Sequence, residues 1–324
     1  MSRARVLALV LGAAGLVATV GYAGALPVEQ AVWRVGVAGL LLVALIHLPV
    51  IMTTGSAWFL IGRELRGASP WKFIWARYVR EATAEVLPFS QLGGIVAGVR
   101  SLSMTGLDSL AVSGALLSDL IIEQLAKVPY VLAGAALLLL GTHAAAPRVI
   151  GAALLPVCLL AVLVLGARAR LVPLLERAVQ ALARRRRAVG GDQMADLRPI
   201  LQRLIAWDRR TAGAFATHTA AWALGAVETW VVCHLMGLGV TAAQALIVDS
   251  LFCGLRTFGF AIPAALGAQE AGYVLVCALV AVPAAPAVTL SLVRRVRELL
   301  VGMPALGAWQ LLEGGRALAG LSGK

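Results

Sequence analysis

The sequence predicts an all-α, polytopic integral membrane protein with about six spans plus two broken, re-entrant hairpins. Three observations predict it. The 324 residues are 60% hydrophobic and only 14% charged, where an ordinary soluble domain carries about 25% charged residues. Apolar runs of helical length recur along the chain, and the mean hydropathy is +0.88, which puts such runs in a bilayer. Two short segments interrupt them with Pro, Gly and polar side chains: Leu87-Pro-Phe-Ser-Gln-Leu-Gly-Gly94 and Ile262-Pro-Ala-Ala-Leu-Gly-Ala-Gln-Glu270. Their prolines, Pro88 and Pro263, stand 175 positions apart (263 minus 88), and Gly62 with Gly237, Glu123 with Glu298, and Pro129 with Pro304 keep that offset. A polar break that recurs in two halves of a membrane chain is a sequence mark of transporters.

The elements follow in order. Span 1 covers about 6–26, after Arg3 and Arg5. It has the look of a signal peptide, with Tyr22-Ala-Gly-Ala25 near a cleavage-like site, but the spans that follow favour an uncleaved first span. Pro27-Val-Glu-Gln30 reads as a short loop without positive charge, and span 2 covers about 35–61. Arg63, Arg66, Lys72, Arg77 and Arg80 come next, and basic loops stay in the cytoplasm. The N-terminus is therefore inside. Residues 71–106 read as an amphipathic helix, a break and a second helix. Pro88 removes a backbone donor there, and Gly93 and Gly94 loosen the chain.

Residues 107–141 form one long apolar segment, about 50 Å if helical throughout. It carries Asp119, Glu123, Lys127 and Pro129. Another span runs about 149–166. The stretch 168–210 then holds eleven arginines against four acids, which makes it a basic cytoplasmic linker. Its apolar positions recur at helical spacing, so it either lies on the inner leaflet or is a solvated connector. Residues 213–237 run outward, 242–282 hold the second break with Gly267, and about 287–313 close the chain. The first broken segment follows a basic loop and the second an uncharged one, so the two enter from opposite sides. The whole of 1–324 reads as one transmembrane domain, with half-repeats over 35–141 and 213–313 in an inverted arrangement.

Charge and cysteine usage exclude several classes. The net charge is +12 and the pI about 10.7. This positive charge lies in loops, so it marks topology and attraction to anionic lipid rather than nucleic acid. Cys158, Cys233, Cys253 and Cys277 are scattered with no Cys-x-x-Cys pair, and His47, His143, His218 and His234 form no ligand-spaced cluster. No metal and no cofactor is expected. There is no P-loop, nucleophile elbow or His-Glu-x-x-His motif. The expectation is that the chain is not an enzyme.

Ionisable groups in hydrocarbon are costly and tend to be functional. The candidates are Arg100, Glu123, Arg256, Gln269, Glu270, Arg294, Arg297 and Glu298. Arg294 and Arg297 are neighbours on a helix face, as are Arg294 and Glu298, and Glu123 and Lys127. Two arginines on one face can grip a phosphate or carboxylate. The alternative is that these pairs only neutralise one another, or that the 294–298 cluster marks a membrane edge. Pro88, Gly93, Gly94, Pro263 and Gly267 would shape the hairpins.

On these same residues the chain resembles a family of flippase-like membrane proteins that includes the membrane half of lysylphosphatidylglycerol synthases. Leu87-Pro…Gly-Gly94…Arg100 is similar to that family's Pro-x-x-x-Gly-Gly/Glu…Arg motif. Ile262-Pro-Ala-Ala-Leu-Gly-Ala-Gln-Glu270 looks like its Pro-Gly-Gly-x-Gly-x-x-Glu motif, and Arg294…Arg297-Glu298 resembles its distal arginine cluster. Ala264-Ala265 depart from the usual Gly-Gly, which stiffens the second break. The variant around Pro88 looks most like the hopanoid-associated branch. The resemblance implies a flippase or transporter in a bacterial inner membrane, without a soluble synthase domain. Its cargo would be a polar-headgroup lipid of the hopanoid, aminoacyl-phospholipid or glycolipid class. A homo-oligomer and lipid-biosynthetic enzymes are further partners this admits. The rival expectations are an integral-membrane headgroup transferase and a non-catalytic scaffold.

Overall fold

A computed structural model describes residues 21–86, 91–141, 148–159, 161–163, 207–257 and 267–322, with Val17 and Gly166. Pro88, Pro263, His143, most of the expected first span and the 168–210 linker up to residue 206 lie outside the described residues. The described chain is helical with no strand. Its elements are α1 Ala25–Gly62, α2 Pro70–Val86, α3 Gln91–Ser103, α4 Ser109–Gly141, α5 Arg209–Leu235, α6 Ala242–Arg256, α7 Ala268–Ala278 and α8 Ala284–Ser322. A further helical stretch covers 148–159.

Local chemistry sets the helix ends. Asp208 caps α5 by accepting from the backbone N–H groups of Arg210 and Thr211 at 3.1 and 2.8 Å. Thr241 and Gln244 form a reciprocal capping box on α6. Gly237, at φ +78, lets the chain turn out of α5 while Leu238 N–H reaches the Cys233 carbonyl at 3.0 Å. The loop expected at Pro27–Gln30 is instead part of the first turns of α1. Pro27 falls among the first four helical residues, whose N–H groups have no partner within the helix anyway, so its missing donor costs little. The non-helical point comes later, at Gly36 (φ 60, ψ 178), and the stretch beyond it matches the expected span over 35–61.

α1 and α4 are long and apolar enough to cross a membrane. On α1 a buried stripe of Val35, Gly39, Val43, His47, Ile51, Thr54 and Trp58 recurs at helical spacing. Leu41, Leu45 and Met52 on the remaining surface are exposed. A helix apolar on its outer face as well as its inner one suits lipid and not water.

Two apolar clusters sit at opposite ends of the helices. One gathers Val35 and Val43 of α1, Val131 and Leu138 of α4, Val232 of α5, Val248 and Leu251 of α6, Tyr273 of α7 and Leu290 and Val293 of α8. The other gathers Ala57, Trp58 and Ile61 of α1, Phe73 and Ala76 of α2, Ala111 to Ile122 of α4 and Ala214 of α5. Thus α1 runs from the first cluster to the second, while α4 and α5 run the other way. His47 of α1, residues 123–130 of α4 and 218–229 of α5 fall between the clusters, and the buried polar groups among them are concentrated there.

The principal helix contacts keep their form when α1–α4 are exchanged for α5–α8. α1 packs on α2 as α5 packs on α6; α2 on α3 as α6 on α7; α3 on α4 as α7 on α8; and α1 on α4 as α5 on α8. α8 lies on α1 and α2, as α4 lies on α5 and α6. The α1–α5 contact maps onto itself. Close approach fixes one of these pairs: a Cβ at Gly94 would fall 2.6 Å from the Arg80 carbonyl oxygen, so only glycine lets α3 lie this near α2.

Candidate functional site

A chain of charged side chains crosses six helices, running from the edge of one apolar cluster through the layer between them to the edge of the other. It begins on α4 and α2. Arg77 donates from Nη1 and Nη2 to the two carboxylate oxygens of Glu123, each at 2.9 Å. This parallel fork is the strongest geometry open to such a pair. Arg80 adds a bond to Glu123 Oε2 at 3.2 Å. Asp119, one turn before Glu123, lies 3.8 Å from Arg77 and 3.7 Å from Arg80, and 2.8 Å from His218 Nε2 of α5. Arg77 also reaches Glu81, one turn along its own helix, at 3.2 Å.

Glu81 hands the chain to α1. Its Oε1 lies 3.1 Å from His47 Nε2, and Oε2 of Glu228 on α5 lies 3.1 Å from His47 Nδ1. Arg297 of α8 sits against the same ring, with Nη1 2.8 Å from Nδ1 and 2.7 Å from Nε2. Glu228 Oε1 is 3.4 Å from Arg297 Nε and 3.8 Å from Arg294 Nε. Arg294 then pairs with Asp249 of α6 and donates to Thr229 Oγ1 at 2.6 Å and the Gly225 carbonyl at 3.2 Å. Asp249 is also held by Tyr130 Oη of α4 at 2.6 Å and Thr229 Oγ1 at 3.0 Å.

The participants are nearly all buried, Asp119 and His218 completely. Charges removed from water survive only when paired, and here each has a partner of opposite sign. Some capacity is left over. Asp119 Oδ2, Glu228 Oε1, Arg294 Nε and Arg297 Nε sit at ion-pair distance of a neighbour but form no hydrogen bond. Beside the chain a narrow crevice, with room for about one water molecule, lies between α1, α2 and α8, lined by His47, Ile51, Tyr78, Glu81, Ala82, Glu85, Glu298, Val301 and Gly302. Among the described residues no group of three or more His, Cys, Asp or Glu side chains is arranged to hold a metal.

The expected site residues divide into three groups. Glu123, Arg294 and Arg297 are in the buried chain, and Glu298 lies at its edge, 3.8 Å from Arg297 and on the crevice wall. The neighbour pairs read along single helices form otherwise: Glu123 takes Arg77 and Arg80 rather than Lys127, which lies over the Trp222 ring, and Arg294 takes Asp249 rather than Glu298. Partners on facing helices offer better geometry than flexible neighbours one turn away. Glu270 and Gln269 are buried at the start of α7. There Glu270 accepts from Gly267 N–H at 2.8 Å, Ser291 Oγ at 3.1 Å and Arg295 Nε at 2.7 Å, which fastens the helix start to α8. Gly267, at φ +76, supplies the turn into that helix. Arg100 and Arg256 stand apart. Arg100 is paired with Glu313 at the protein surface, and Arg256 is exposed at the end of α6. Gly93 and Gly94 lie in the first turn of α3.

His47, Arg77, Arg80, Glu81, Asp119, His218, Glu228 and Asp249 complete the chain and are absent from the expected set. Their signal was present as ionisable side chains inside apolar helices. His47 in particular lies on the i, i+4 stripe that α1 buries.

One family's sequence model, described as Lysylphosphatidylglycerol synthase TM region, matches residues 5–305. No curated protein and no solved structure matches the chain.

Proposed function

The chain belongs to the family of the lysylphosphatidylglycerol synthase transmembrane region, and from that premise we propose that it is a flippase: it moves a lipid with a polar headgroup across the bilayer. Membership makes it a membrane protein with a lipid-related function. The cargo in this reading is a hopanoid, aminoacyl-phospholipid or glycolipid. The setting is a bacterial inner membrane, with the N-terminus and the 168–210 stretch in the cytoplasm. The protein moves its lipid unchanged and is not an enzyme.

One observation carries the reading: the buried charged chain runs from the edge of one apolar cluster to the edge of the other and joins α1–α4 to α5–α8. The exchange of packing partners between α1–α4 and α5–α8 supports an inverted repeat, as does the opposite course of α1 and α5 between the clusters. Halves of that kind can rock about a fixed central layer. Rocking needs polar contacts that re-pair rather than break, and the spare capacity on Asp119, Glu228, Arg294 and Arg297 suits this. The headgroup would travel beside the charged layer, while the tails stay in lipid.

The test is a headgroup-accessibility assay in proteoliposomes, run in turn with a hopanoid, an aminoacyl-phospholipid and a glycolipid tracer. Exchange between leaflets should be faster than in protein-free vesicles for one class. Equal rates for all three would sink the proposal. A chemically altered lipid recovered from the same vesicles would favour a transferase.

A further inference from the structure

His47 is placed so that its two protonation states have different partners. Carboxylates only accept hydrogen bonds, and a neutral imidazole has one N–H. It can therefore satisfy Glu81 or Glu228 but not both. The observed bracket, with Nε2 3.1 Å from Glu81 and Nδ1 3.1 Å from Glu228, needs a hydrogen on each side of the ring. Arg297 Nη1, 2.8 and 2.7 Å from the two nitrogens, lies over the ring face, so its positive charge sits against the ring in either state.

The two carboxylates differ in their other support. Glu228 keeps Arg297 Nε and Arg294 Nε at 3.4 and 3.8 Å, while Glu81 keeps Arg77 Nε at 3.2 Å. Glu81 also lines the crevice, together with His47, Tyr78, Glu85 and Glu298. The charged or titratable groups facing His47 are thus Arg77, Tyr78, Glu81 and Glu85 of α2, Glu228 of α5, and Arg294, Arg297 and Glu298 of α8. Asp119 and Glu123 of α4 act on it only through Arg77. His47 is itself 6% exposed. The crevice gives it a route to protons, lined by three carboxyl groups and a phenol.

We propose that His47 is a proton-binding site that couples lipid movement to a proton gradient. A proton arriving through the crevice binds a ring nitrogen, and the imidazolium ties α2 to α5 through Glu81 and Glu228. When that proton leaves, the one remaining N–H stays with Glu228 and Glu81 is left to Arg77, which loosens α2 against α1. α1 and α5 make the one helix contact that maps onto itself when the halves are exchanged, so a change at His47 reaches both halves. Small shifts at such a point can tip a two-state packing. The inference rests on the lipid-moving reading for its output, but not for the site itself.

Two measurements test it. The first uses the full chain in vesicles of phosphatidylethanolamine and phosphatidylglycerol with a trace of lysyl-phosphatidylglycerol, the hopanoid and glycolipid tracers serving in parallel. An imposed pH difference of about two units should change wild-type exchange several-fold in rate, a tenfold proton ratio per unit being the drive. The His47→Gln protein, whatever its absolute rate, should exchange equally with and without the gradient. Wild-type exchange indifferent to the gradient, or a gradient response kept by His47→Gln, overturns the coupling and leaves the lipid reading standing. Exchange no faster than in empty vesicles for every tracer sinks the lipid reading and the coupling with it. The second measurement needs no lipid cargo: nitrogen NMR of the four histidines in purified protein, with His47 assigned by its loss in His47→Gln. The His47 ring nitrogens should change state between about pH 5 and 9, and Glu81→Gln should shift the midpoint. Signals constant over that range, or a midpoint untouched by Glu81→Gln, reject the proton site itself.

Discussion

Arg77 of α2 and Glu123 of α4 are joined by two parallel N–H···O bonds of 2.9 Å, buried from solvent. The same Glu123 also takes Arg80. One carboxylate thus holds two arginines that belong to the helix preceding the first break, and it fixes how that helix sits in the bundle.

Removing Arg77 alone should be costly. Arg77→Leu leaves Asp119 and Glu123 with Arg80 and His218 but without the forked partner of Glu123, and breaking a buried pair costs about 3–5 kcal/mol. Thermal unfolding of the purified protein should fall clearly. The double change Arg77→Leu with Glu123→Leu should recover part of the loss, because no charge is then left bare. A single variant as stable as wild type would show that the pair is not closed in the membrane.

Function and surface charge should separate. Glu228→Gln and Arg297→Ala act at the point where α1, α5 and α8 meet, and each should abolish leaflet exchange. Arg100→Ala removes only an exposed pair with Glu313, worth about 1 kcal/mol or less, and should leave exchange intact. If Arg100→Ala stops transport and Arg297→Ala does not, the working site is at the surface end of α3.

Close helix contact gives a packing test. A Cβ at Gly94 would meet the Arg80 carbonyl, which as backbone cannot swing aside, whereas one at Gly151 would meet nothing within 4 Å. Gly94→Ala should cost about 1–3 kcal/mol, the usual penalty of overpacking. Gly151→Ala should be neutral or slightly stabilising. Equal melting temperatures for the two variants would mean that α2 and α3 lie further apart than described.

Labelling tests the proposed inverted arrangement. The loop after α1 exposes Arg66, and the corresponding loop after α5 exposes Gly239. With Cys158, Cys233, Cys253 and Cys277 replaced, single Arg66→Cys and Gly239→Cys variants should react with a membrane-impermeant maleimide from opposite sides of the membrane. Labelling of both from one side contradicts the inversion.

Much of the architecture was legible in the chain. The long helix over 109–141 and the span over 35–61 depend on apolar length, which is a local property, while Pro88 and Pro263 of the two expected breaks lie outside the described residues. The Pro27–Gln30 loop was misread because an apolar stretch with a proline looks like a loop end, yet proline fits the start of a helix. The candidate site was legible only in type. Ionisable residues in apolar helices announced a polar interior, and Glu123, Arg294 and Arg297 were found that way. Arg100 was picked by its motif position and lies at the surface. Glu270, expected as a ligand contact, fastens the start of α7 to α8, a packing role that no spacing along the chain displays.

The sequence by itself determined that this is an all-helical membrane protein, because hydrophobic length is written residue by residue. Only the tertiary structure decided who pairs with whom. His47 meets Glu81 across 34 positions and Glu228 across 181, and no spacing along one helix encodes such contacts. Facing helices offer a buried charge partners that a neighbour on its own helix cannot match. In a low-dielectric interior the bond with the best geometry prevails.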